Sequence, residues 1–102
     1  MTTPFRVWVV GGETEWRYWL MGRLLRAIAQ RFAPRPLVVV HAGGTGAQVM
    51  AKVWAVYAPN AEPELQPSNG GKKPDLCLAF PGAEEHVQRA RAHGVRVYEV
   101  KE

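Results

Sequence analysis

Three times along this chain a nearly unbroken hydrophobic run stops at glycine. Phe5 to Gly12 ends in Gly11-Gly12, Leu37 to Ala42 runs into Gly43-Gly44-Thr45-Gly46, and Leu76 to Gly82 ends in Pro81-Gly82. Runs this short and this continuously apolar suit strands covered on both faces, which is the situation of strands in a parallel sheet. Between them the hydrophobic spacing changes to three and four. The chain is therefore expected to alternate strands with helices, and crossovers of that length join parallel strands in the right-handed sense.

The first helix is expected over Thr14 to Phe32, with Trp16, Leu20, Leu24, Ala27, Ile28 and Phe32 recurring on one face and Thr14 or Glu13 as cap. Ala33-Pro34-Arg35-Pro36 ends it, because proline lacks the amide donor and clashes with the preceding turn. A second helix from about Gly46 to Tyr57 is expected to bury Val49, Met50, Val53, Trp54 and Tyr57 and to turn Lys52 outwards. The proline- and glycine-rich stretch that follows has room for only a short edge strand near Glu62 to Leu65. A third helix from Ala83 to His93 carries Glu84 and Glu85 first, Arg89 and Arg91 last, and Gly94 just beyond, an order that complements the helix dipole. VRVYEV closes the chain as a strand.

These elements predict one α/β domain over residues 1–102, a three-layer sandwich with a mostly parallel sheet of four or five strands. In such a sheet, ligands sit beyond the carboxyl ends of the strands. The three glycine turns are expected to meet there, with Gly11, Gly12, Gly43, Gly44, Thr45, Gly46, Pro81 and Gly82 around one site. The amides opening the second helix favour an anion such as phosphate. Thr45 adds a hydroxyl, and Lys72 or Lys73 a cation.

Thirteen Lys and Arg against nine Asp and Glu leave a net charge of +4, which is compatible with an anionic partner. The single cysteine, Cys77, lies among Leu76, Leu78, Ala79 and Phe80 and reads as a buried thiol, as in a reducing compartment. No apolar run approaches the roughly 20 residues of a membrane span, so a soluble cytoplasmic protein without a membrane partner is expected. Trp8 and Trp54 read as core. Trp16 and Trp19 cannot both face inwards, so one is expected at the surface, packing against another subunit of a homo-oligomer. His86 and His93 stand seven apart without further ligands at metal spacing, so no metal is expected. His41 reads as a hydrogen-bonded structural residue.

The segments RVWVVGG, VVVHAGGTGAQVMAKVWA and DLCLAFPG with VQRARAHGVRVYEV resemble, in order and over most of the chain, the YspA-like branch of the SLOG superfamily. That resemblance implies a Rossmann-like fold that binds nucleotides or nucleotide-derived ligands. Relatives include phosphoribohydrolases, sensors of nucleotide signals and binders of single-stranded DNA. Several family features differ here. Gly11-Gly12-Glu13 stands where relatives have Gly-Ser-Arg, and Gly46-Ala47-Gln48 where they have Gly-Ala-Asp. The Gly-Pro-x-Arg-Asn segment is missing, and the phosphate turn is reduced to Pro81-Gly82-Ala83-Glu84-Glu85. Two acids at that helix start would repel a phosphate, which leaves the second helix as its seat.

No catalytic residue carries over from the family. Glu13, Glu84 and Glu85 read as helix caps rather than as a general acid and base. The expectation is a binder of a small nucleotide, or of an NAD- or ADP-ribose-like ligand, for sensing or sequestration. The alternatives are an N-glycosidic hydrolase and single-stranded DNA binding.

Overall fold

A computed structural model describes residues 3–43, 46–65 and 73–101. The element order is β1 (Phe5–Val10), α1 (Tyr18–Arg31), β2 (Leu37–His41), α2 (Ala47–Tyr57), β3 (Ala61–Leu65), β4 (Leu76–Ala79), α3 (Glu84–Ala92) and β5 (Arg96–Glu99). The five strands form one sheet in the order β3-β2-β1-β4-β5, with every pair parallel. This is the small Rossmann-like, three-layer α/β arrangement expected from the alternation.

Period-two side-chain alternation divides the core. Phe5, Val7 and Val9 of β1, with Leu37 and Val39 of β2 and Leu78 of β4, pack under α1 and α2. Trp8, Val10, Val38, Val40, Cys77 and Ala79 face the other way, where α3 contributes Val87 and Ala90. Each fully buried Val, Leu or Phe adds about 1.5–3 kcal/mol of transfer free energy, so both faces of β1 contribute.

The first helix begins later than its hydrophobic spacing predicts. Neither Thr14 nor Glu13 caps it. The chain instead turns after Gly12, whose carbonyl accepts the Glu15 amide at 3.3 Å. The Glu15 carboxylate then accepts the Arg17 amide at 3.0 Å and the Arg17 guanidinium at 2.9 Å through both Nε and Nη2. Arg17 also donates to the Lys101 carbonyl, so this ion pair ties the helix entrance to the chain end. The buried residues of α1 are Met21, Gly22 and Leu25, while Trp16 and Ala27 of the expected apolar face are exposed.

The register of α2 is also corrected. Its buried residues are Ala47, Gln48, Ala51 and Ala55, and the larger Val49, Val53 and Tyr57 point to solvent. Alanine lets the helix sit close to the sheet, so small side chains take the inside. Trp54 and Met50 lie between these two faces and pack against the core, with Trp54 beside the bare Cα of Gly22. Trp8 is buried as expected, whereas Trp16 and Trp19 are both exposed. Gly94, with φ +75°, ends α3 in the expected place.

Candidate functional site at the glycine turns

The strand order reverses at β1: β2 and β3 lie on one side of it, β4 and β5 on the other. Beyond the carboxyl ends of β1 and β4 lies the position where open parallel sheets hold ligands. The two turns here stay paired past the strand ends. The Phe80 amide donates to the Val10 carbonyl and the Gly12 amide to the Pro81 carbonyl, each at 2.8 Å. Gly82, at φ +92°, approaches so closely that a side chain there would stand 3.0 Å from the Gly12 Cα.

The third turn closes in from the β2 side. Gly46 has φ +64°, and a Cβ built on it would lie 2.7 Å from the Glu13 carbonyl oxygen and closer still to that of Gly12. Gly11 in turn leaves room for Ala47 and Phe80, whose Cβ atoms would be 2.7 and 2.8 Å from an added methyl. Gly11, Gly12, Gly46, Pro81 and Gly82 are thus brought into one cluster, in which neighbouring backbone fills the space beside Gly12, Gly46 and Gly82 and the Ala47 and Phe80 side chains fill that beside Gly11.

Gly43 stands apart from the cluster, at φ +83° and turned toward the Leu65 side chain. Gly44, Thr45 and Lys72 lie outside the described residues. Lys73 does not reach the glycine turns. Its Nζ lies beside Gly94 in the α3–β5 turn, at the opposite edge of the parallel sheet.

Two buried polar side chains brace the turn into α2. Gln48 Oε1 accepts the Ala42 amide at 2.9 Å, and His41 Nδ1 accepts the Gly43 amide at 3.1 Å. Accepting at Nδ1 requires the neutral ring with its proton on Nε2. Burial lowers the His41 pKa below its ordinary 6.5, and the charge of Lys52 adds to the shift. His41 is a structural brace, as its position at a strand end suggested. Sequence reading assigned no such role to Gln48 and missed the Glu15–Arg17 pair, because both depend on contacts made only after the turns have folded.

All three helices start at this edge, and they differ electrostatically: at the entrance of α1 the Glu15 carboxylate accepts the Arg17 amide. α2 has no acid in its first turn, and its cap residue, Gly46, makes no side-chain cap bond, so no acid of its own offsets the positive end of its dipole. α3 opens with Glu84 and Glu85, which occupy the same kind of field with fixed negative charge.

Among the described residues no group of three His, Cys, Asp or Glu side chains is placed to hold a metal, and no helix is long and apolar enough to cross a membrane. A cleft of about 600 Å³ between α1 and the end of α2, lined by residues including Arg26, Gln30, Trp54, Tyr57 and Asn60, contains none of the glycine turns. Compared with protein-family models, with curated proteins and with solved structures, the chain matches none.

Proposed function

We propose that this protein binds a small phosphate-bearing ligand, a nucleotide or a nucleotide derivative such as NAD or ADP-ribose, for sensing or sequestration. The phosphate sits at the start of α2. The observation that carries this reading is the uncapped, acid-free N-terminus of α2, placed against the glycine cluster where the strand order reverses. Gly46 brings the helix start against the β1 turn, and Thr45, next to it in sequence, supplies a hydroxyl donor. The resemblance of VVVHAGGTGAQVM to nucleotide-binding relatives supports the same position.

The test is a thermal-shift series with AMP, cyclic AMP, NAD and ADP-ribose. A ligand present at about a hundred times its Kd adds about 2.7 kcal/mol, a rise on the order of 10 °C or more for a domain of this size. Thr45→Glu adds a carboxylate one residue before Gly46 in the sequence and should abolish the shift, with the unliganded Tm of the variant as the control for a retained fold. A flat response to all four ligands overturns the reading. So does a shift that survives Thr45→Glu.

A further inference from the structure

α2 combines an apolar inner face with an apolar outer face. Its inner contacts are made by alanines, and its solvent side carries Val49, Val53 and Val56, four and three residues apart, with the 83 % exposed Tyr57 at the end. Gln48 is buried and braces the turn, which leaves Lys52 as the helix's one exposed polar side chain. A helix hydrophobic on all sides belongs in an interior, and half of this one lacks a cover. The adjacent outer surface of α1 continues the patch through the 61 % exposed Trp19, flanked by Arg23 and Arg26.

We propose that this α1–α2 face is covered by a second copy of the same chain, forming a two-fold dimer in which the valine ridge of one α2 packs against that of the other. Three properties of the face select this occupant. Its composition, aromatic and aliphatic residues with arginine and no Asp or Glu on either helix, is that of a subunit-interface core. Its area is sufficient: Tyr18, Trp19 and Tyr57 alone leave on the order of 350 Å² open, and the valines with the arginine stems extend this toward the roughly 800 Å² per partner of a stable complex. A ridge spaced i, i+4, i+7 is also complementary to its own copy under two-fold symmetry.

Lys52, exposed and next to Val53, is the one charge on this ridge, so the response to salt separates a second copy from an anionic polymer. Arg23 and Arg26 lie beside the ridge on α1, where their charges repel across the dimer and are screened by salt. Added salt therefore strengthens self-association, the opposite of its effect on nucleic acid or an acidic peptide.

The experiment is sedimentation velocity with light scattering on the full chain at about 1 to 100 µM, a range that brackets the affinities expected of such an interface. The expected result is a species of twice the 11.4 kDa chain mass, tighter at higher salt. Val53→Asp and Trp19→Ser should each weaken it by at least about tenfold, while Tyr98→Ser, at an exposed position on β5, should leave it unchanged. Both test positions face solvent, and circular dichroism of each variant checks that the fold is retained. If Val53→Asp fails to fold, Trp19→Ser decides. A wild-type monomer throughout the range overturns the proposal and leaves the face to a different protein. A dimer indifferent to both substitutions overturns it as well, by placing the interface elsewhere.

Discussion

Gly46 and Gly12 lie backbone against backbone, so that a methyl group on Gly46 would overlap the Gly12 carbonyl oxygen. The turn into α2 can approach the turn leaving β1 this closely because Gly46 carries no side chain, while the open side of Gly12 faces Pro81 and Gly82. Gly46 also holds φ +64°, a conformation costly to any residue with a Cβ. Strain and overlap act together, so Gly46→Ala should destabilise the fold by about 3 kcal/mol or more. Gly94→Ala has a positive φ but meets only the flexible end of Lys73, and its cost should stay near 1–2 kcal/mol. Urea denaturation of the two variants measures the difference, and equal losses would show that the glycine cluster is not packed as described.

The inner face of α2 has no room for larger side chains. Ala51 is fully buried against the sheet, so Ala51→Leu forces the helix outwards at a cost of about 1–3 kcal/mol. Val56→Thr, on the outer face, should change the stability of the dilute protein by less than about 0.5 kcal/mol. The hydrophobic spacing alone names Val49, Val53 and Tyr57 as buried positions of this helix and does not include Ala51.

Stability should fall on mild acidification because of His41. Its folded-state pKa lies below the ordinary 6.5, so the unfolded chain takes up the proton first. The contribution is complete above about pH 6.5 and is lost as pH falls below that value and through the folded pKa. Denaturation midpoints at about pH 7.5 and pH 5.5 should therefore differ, and His41→Asn, which keeps an acceptor for the Gly43 amide without a titrating ring, should flatten the difference. An unchanged slope in His41→Asn would assign the pH dependence to another group.

Cys77 should be chemically silent in the native protein. It is fully buried, and burial pushes its thiol up to about 11, so almost no thiolate exists at neutral pH. A disulfide reagent should label it only at the rate of unfolding, with full reaction in denaturant. Rapid labelling of the folded chain would place the thiol at the surface.

The strands β1, β2 and β4 were legible because each is short, apolar and followed closely by glycine or proline. The third helix was legible because its charges are ordered along the dipole. The start of α1 was not: Trp16 fits the helical spacing, but Glu15 and Arg17 hold the chain in a different path before Tyr18. The orientation of α2 was misread for a related reason. Ranking residues by hydrophobicity puts Val49 and Val53 inside, whereas seating depth against the sheet put Ala47, Ala51 and Ala55 there.

At the candidate site the glycine turns were identifiable by composition and their meeting by the rule for parallel sheets. The separation of Gly43 from the cluster, and of Lys73 from the whole edge, depended on the path of the folded chain. From its amino acids alone this protein was specified as a parallel α/β sandwich with glycine at its strand ends, because periodicity and turn chemistry are local properties. Tertiary structure alone decided which face of α2 is inside, which glycines touch, and which helix start remains free of acid beside them. Those outcomes depend on distances between segments far apart in the chain.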